Sequence, residues 1–279
     1  MAQEANILKV FNLGTSHEED DMPDYPEGFP EVLKGYRHFG SLDHYQGYLY
    51  VPLSEKLGYK KKNPAYPDCI ITVFNCQDLS LVAAAPLLYN QWVNGALQPV
   101  SDRSNAWCAI NPLNGYLYVA RFYETREPDE GFTLRVYKQE LTGNQLHLEF
   151  VGEMPLYGKE GQPIFLKRVQ GGTFSKNGHL YLVSDSHLVD NLLSGHFING
   201  PSGVYAFDMV TGRNTFYIPI APERNLWASE ELESVALFTG SKYSGHVHIL
   251  VLDNDMDEIG TDDISLIHFS VTPEDVDKL

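Results

Sequence analysis

Four stretches of this 279-residue chain repeat one local form, and that repetition constrains the fold more than any other feature. They begin at His38, Trp107, Gln170 and Glu233, 63 to 69 residues apart. Each opens on a short run rich in small residues: His38-Phe-Gly-Ser-Leu-Asp43, Trp107-Cys-Ala-Ile-Asn-Pro112, Gln170-Gly-Gly-Thr-Phe-Ser175 and Glu233-Ser-Val-Ala-Leu-Phe238. A turn follows, closing at Gly47, Asn114-Gly115, Asn177-Gly178 and Gly245, and then an apolar run such as Tyr48-Leu-Tyr-Val or His246-Val-His-Ile-Leu. Asn-Gly between apolar runs marks a hairpin, because both residues tolerate positive φ. A third strand is expected at 69–74, 134–139, 203–207 and 264–269, and a fourth at 80–84, 147–151 and 215–220. A long period of strand-turn-strand units is the signature of a propeller.

The reading is therefore a single all-β domain over 1–279, a β-propeller with four blades favoured over five. No unassigned gap reaches the roughly 40 residues a further blade needs. The last unit ends after its third strand. Ile7-Leu-Lys-Val-Phe-Asn-Leu13 is strand-like and is expected to supply the missing outer strand of the last blade.

In a propeller the first strand of each blade lines the axis, and residues two apart share a face. Aligning the four first strands predicts one ring of His38, Trp107, Gln170 and Glu233. A second ring two residues upstream holds Tyr36, Asn105, Arg168 and Glu231, and a third, small ring holds Gly40, Ala109, Gly172 and Val235. The first two rings are polar and chemically mixed, which suits a binding site on the axis. The competing reading is a polar plug that fixes the blades, with Arg168 paired to Glu231 or Glu233.

As chemistry, His38 suits general acid or base work near neutral pH. Glu231 and Glu233 share a strand face, so mutual repulsion would raise one pKa and make that carboxyl a proton donor. Arg168 suits a substrate carboxylate or an oxyanion. Trp107 and Tyr36 suit stacking on an apolar or sugar-like ligand, and Asn105 and Gln170 complete the ligand-binding set. The cofactor is left open. A single Ca2+ or Mg2+ in the channel is the less favoured reading: the two glutamates, Asn105 and Gln170 offer oxygens, but His38 and Trp107 suit such a site badly and Arg168 repels a cation.

Other candidates fall short. Asp253-Asn-Asp255-Met-Asp257 starts like a calcium loop, but Glu258 stands where glycine is needed and Ile264 where the closing glutamate belongs. His246 and His248 share a face with no third ligand evident. Three cysteines (Cys69, Cys76 and Cys108) make no disulfide framework. A formal net charge of -17 argues against nucleic acid and anionic membrane surfaces. The N-terminus lacks the form of a signal peptide and no run reaches membrane-spanning length. The expectation is a monomer acting on a small-molecule ligand, cytoplasmic, or secreted if a leader has been removed.

The phrases His38-Phe-Gly-Ser-Leu-Asp43, Val169-Gln-Gly-Gly-Thr-Phe-Ser175 and Glu231-Leu-Glu-Ser-Val235 resemble signatures of a family of bacterial and fungal propeller-like proteins. Its members carry His-x-Gly-Asp-x-Asp, Gln-Gly-Ala-Phe-Ser and Glu-Leu-Glu-Gly. The resemblance spans roughly residues 36 to 270 and implies the fold and the ring positions rather than a reaction. The chain departs from it at Ser41 and Ser234, where an acid and a glycine are common. More distantly it is similar to gluconolactonase- and paraoxonase-like propellers, which are metal-dependent hydrolases.

Function narrows to a small-molecule enzyme using the channel for acid-base chemistry. That covers a metal-assisted hydrolase of an ester or lactone, or a metal-free cyclase or isomerase. The alternatives are a non-catalytic propeller binding a carbohydrate or small metabolite, and a protein-interaction scaffold. Fold alone does not choose among them.

Overall fold

The structure, a computed structural model, describes residues 30–56, 67–101, 105–121, 131–166, 168–185, 202–220, 228–238, 246–255 and 263–270. The chain is a four-bladed β-propeller. Blade 1 holds β1 (Tyr36–Phe39), β2 (Asp43–Tyr45), β3 (Tyr48–Lys56), β4 (Ile70–Asn75) and β5 (Leu81–Pro86), with β1 and β2 both pairing β3. A two-stranded hairpin of β6 (Leu88–Val93) and β7 (Ala96–Ser101) follows. Blade 2 is β8 (Asn105–Ile110), β9 (Tyr116–Arg121), β10 (Thr133–Thr142) and β11 (Gln145–Pro155). Blade 3 is β12 (Gly171–Phe174), β13 (His179–Ser184), β14 (Gly203–Asp208) and β15 (Arg213–Pro219). Blade 4 shows three strands, β16 (Ala228–Phe238), β17 (His246–Asp255) and β18 (Asp263–Ser270). The stretch 7–13, expected to add its outer strand, lies outside the described residues. Among those residues the helical content is one 3-10 turn at Glu31–Leu33. No described helix is long and apolar enough to cross a membrane.

The strands sit within one to three residues of most of the expected ones, because alternation of side chains is what the blades need. In β9, Leu117 and Val119 pack toward blade 1 with Ile71, Val73 and Tyr137, while Tyr118 and Ala120 pack toward blade 3 with Leu180, Leu182 and Phe207. Val247, Ile249 and Val251 of β17 pack likewise on Val183 and Val204 of blade 3. Strands buried on both faces read as near-continuous apolar runs, and Tyr116-Leu-Tyr-Val-Ala is one.

The β6–β7 hairpin interrupts the four-fold repeat. Its Asn94-Gly95 turn takes φ of 51 and 80 degrees at its two central residues, the conformation such hairpins require. Tyr89 anchors it on blade 2, under the Arg135 guanidinium (3.8 Å to the ring centroid) and edge-on to Phe150.

Blades 1 and 2 are also tied by backbone near the axis. The inner strand of blade 1 breaks at Gly40–Leu42, and Ser41 leaves β3 to pair with blade 2: its N–H donates to Ala106 O (2.7 Å), and Cys108 N–H donates to Ser41 O (3.1 Å). A side chain on Gly40 would fall on the Ala106 carbonyl oxygen. Asp43 closes this clamp by accepting from Ile110 N–H at 2.7 Å and from His44 N–H at 2.9 Å. Burial outweighs those two bonds and pushes its carboxyl up to about 6. Cys69, Cys76 and Cys108 form no disulfide with one another, and Cys69 and Cys108 lie deep in the core.

Candidate active site at the mouth of the axis

The inner strands touch where they cross the axis. Ser41 Oγ and Ser234 Oγ are 2.9 Å apart, joining blade 1 to blade 4. A Cβ on Gly171 would lie 2.6 Å from Ser234 Cα. The small ring expected to leave room in the channel is thus shifted and shut. Gly172 lies under the Trp107 ring, where a Cβ would meet Cε3 at 2.5 Å, and Val235 packs between blades 3 and 4. The residues meeting at this level are Ser41, Gly171 and Ser234, each one position away from the aligned set.

The polar groups gather upstream of this closure, at the starts of the inner strands. Arg168, just before β12, has φ of 46 degrees, an uncommon value for a side-chain-bearing residue. Its Nη1 donates to Glu231 Oε1 at 2.9 Å, the two side chains being 15% and 19% exposed. Gln170 is 6% exposed. Its Nε2 donates to Glu231 Oε2 at 3.2 Å and to Glu233 Oε1 at 2.8 Å. One amide group therefore bridges two carboxylates. Both Glu231 oxygens are engaged, whereas Glu233 keeps one oxygen with no protein partner among the described residues. Burial, and then the Glu231 charge, push Glu233 up to about 7, with the Gln170 bond acting in the opposite direction.

The local reason for this convergence is a β-bulge. The β16–β17 register shifts between Leu232 and Ser234, leaving Glu233 as the extra residue beside Glu231. A second bulge, between Asn105 and Trp107 in β8, has the opposite consequence. It turns Trp107 off the face it was expected to share with Asn105, since Asn105 pairs with Arg121 and Trp107 with Ala120.

The remaining expected ring residues divide accordingly. Trp107 is 0% exposed between blades 2 and 3, so its ring has no face left for a ligand. Tyr36 is 2% exposed among Leu33, Val51, Leu53 and Phe74, with its hydroxyl donating to Pro67 O at 2.8 Å. It fills core rather than mouth. Asn105 is fully buried at the start of β8. His38, in β1, shares a 3.1 Å hydrogen bond between its Nδ1 and Ser54 Oγ, across its own blade. The structure thus joins Arg168, Gln170, Glu231 and Glu233 in one network, and places Trp107 and Tyr36 in packing.

The cluster suits a divalent cation poorly. Glu231 has spent both oxygens, the amide of Gln170 turns its N–H2 toward the carboxylates, and the Arg168 guanidinium already supplies the neutralising charge.

On blade 4, His246 and His248 gain a third imidazole that the sequence spacing hid. His268 on β18 pairs with His248. Its Nε2 lies 2.7 Å from His246 Nδ1, and its Nδ1 lies 2.9 Å from His248 Nε2. The rings form a chain, with both His268 nitrogens engaged, rather than converging on one point. Burial and the two neighbouring rings hold His248 below the usual histidine range. The run Asp253–Asp255, whose sequence starts like a calcium loop, is the end of β17.

No family model matches the chain, and no curated protein matches it. Among solved structures it is similar to Pseudomonas fluorescens PhoX in complex with vanadate (10% identity, covering 86% of this chain and 54% of that one, TM-score 0.46). It is similar to an alpha-L-arabinofuranosidase from Fusarium graminearum in complex with an iminosugar inhibitor (12% identity, 83% and 57% coverage, TM-score 0.42). It is also similar to an ulvan lyase (12% identity, 85% and 55% coverage, TM-score 0.40). The chain spans about half the length of these structures.

Proposed function

We propose that the protein is a small-molecule enzyme whose proton-transfer group is Glu233. The observation that supports this is the shared Gln170 amide: it fixes two carboxylates side by side and leaves one Glu233 oxygen unspent. Arg168 and Gln170 act as positioning residues. Arg168 compensates the Glu231 charge, so the cluster is neutral while Glu233 holds its proton and carries one net negative charge once that proton is released near neutral pH. A group poised there serves equally as acid and base.

The reaction class is acid-base chemistry on an uncharged ester or lactone. Unprotonated Glu233 takes a proton from water as that water attacks the carbonyl, and returns it to the departing alkoxide. An anionic substrate is disfavoured by the two carboxylates and by the -17 charge of the chain. A metal-free isomerisation would use the same oxygen to remove and return a carbon-bound proton.

The test is turnover of δ-gluconolactone, γ-butyrolactone and p-nitrophenyl acetate from pH 5 to 9, by wild type and Glu233→Gln. Hydrolysis rising with pH through a midpoint near 7 is expected, with a loss of about 100-fold or more in Glu233→Gln, the usual worth of general base catalysis. Equal rates in the two proteins would sink the assignment.

A further inference from the structure

On the opposite face of the propeller, blades 1 and 2 part to form a cleft of about 420 Å³. It lies where the inner strands end, between the Gln46-Gly47 turn and the Asn111–Gly115 turn. Its size falls in the range of small-ligand pockets. Its walls are aromatic and polar rather than aliphatic: Tyr45 and Tyr48 form a cross-strand pair on blade 1, Gln139 and Leu141 face them from blade 2, and Tyr116 borders the cleft with its ring packed toward blade 3; Leu141 is the one aliphatic residue among those lining it.

Much of the hydrogen-bonding capacity here is unspent. The Tyr48 hydroxyl has no partner among the described residues. Tyr50 O–H donates to Gln139 Oε1 at 3.1 Å, which fixes that amide and leaves its N–H2 group unengaged. Asn114 accepts from Tyr116 N–H at 2.9 Å, so its own N–H2 is similarly available. Lys138 and Glu140 alternate on the same face of β10, exposed and unpaired among the described residues, and their charges cancel.

We infer that this cleft binds a neutral saccharide of one or two rings. Tyrosine faces receive the apolar C–H surface of a sugar ring. Amide, phenol and oppositely charged groups match hydroxyls, which both donate and accept. The near absence of aliphatic wall disfavours a lipid tail, and the balanced local charge with the acidic chain disfavours a polyanion. This site stands apart from the axial cluster and does not rest on its assignment.

The experiment is ligand-observed saturation-transfer NMR with maltose, cellobiose and lactose, with glucuronic acid as the charged comparison. Wild type, Tyr48→Phe, Tyr48→Ala, Lys138→Ala and Glu233→Gln are compared. Saturable transfer from at least one neutral disaccharide is expected, weakened about tenfold by Tyr48→Ala and measurably by Tyr48→Phe, and unchanged in Glu233→Gln. Tyr48→Phe and Lys138→Ala keep the comparison open if Tyr48→Ala fails to fold. No transfer from any neutral disaccharide would overturn the inference. So would preference for glucuronic acid, binding untouched by all three cleft substitutions, or loss confined to Glu233→Gln.

Discussion

Glu233→Gln is expected to remove a slope from the pH dependence of stability that the wild-type protein shows between about 4.5 and 7. The direction follows from linkage. In the folded protein Glu233 holds its proton up to about 7, whereas the unfolded chain releases it near the ordinary value of 4.5. Across that window the folded state binds more protons, so stability is full below about 4.5 and falls as the pH rises toward 7. The shift corresponds to at most about 3 kcal/mol, since each pH unit of displacement is worth about 1.4 kcal/mol. The glutamine keeps an oxygen for the Gln170 donor and carries no charge at any pH. The variant should therefore match wild type at pH 4.5 and exceed it at pH 8 by up to roughly 5–10 °C in Tm. Asp43, also raised by burial, contributes a drift of the same sign between about 4 and 6 in both proteins, so the difference between them isolates Glu233. Parallel Tm curves from pH 4.5 to 8 would show that Glu233 is solvated and ordinary.

The second large effect belongs to Gly171→Ala. The added Cβ would sit 2.6 Å from Ser234 Cα and 2.9 Å from Val235 N. These are backbone atoms of another blade, so no side chain can swing aside. Blades 3 and 4 must separate, which strains the Ser41–Ser234 bond at 2.9 Å and the Gln170 bridge one residue away. Overpacking of this kind costs about 3 kcal/mol at the upper end of its usual range, a fall of roughly 6–10 °C in Tm. Gly95→Ala is the comparison, since a Cβ there meets nothing within 4 Å and the cost is confined to its positive φ of 80 degrees. That cost is about 1–2 kcal/mol. If the two variants lose similar stability, the inner strands do not meet as closely as described.

The blades were legible in the sequence because the physics that makes them is local. Asn114-Gly115 and Asn177-Gly178 announce their hairpins, and runs such as Tyr116-Leu-Tyr-Val-Ala announce strands buried on both faces. Arg168, Gln170, Glu231 and Glu233 were legible for the same reason, since each stands at an equivalent place in its repeat. Trp107 and Tyr36 were not. The assignment of Trp107 to the axis assumed unbroken alternation, which the bulge at Ala106 breaks without any local residue signal, whereas Tyr36 is taken up by the core around Leu33, Val51 and Leu53. The closed axis was hidden likewise: a shift of one residue replaces Gly172 by Gly171 and Val235 by Ser234. The β6–β7 hairpin carried its Asn94-Gly95 turn in plain view, but it falls outside the repeat that organised the reading. His268 is 20 residues from His248 and joins it only once the register of β17 and β18 is known.

The central claim is that Glu233 is a carboxyl held half-protonated at neutral pH by burial beside Glu231. Its direct measurement is a carbon-13 NMR titration of the glutamate side-chain carboxyls, with the Glu233 resonance assigned by its loss in Glu233→Gln. The account predicts a midpoint of about 7 for that one resonance. A midpoint near the ordinary 4.5 would contradict it and remove Glu233 from any acid-base role near neutral pH.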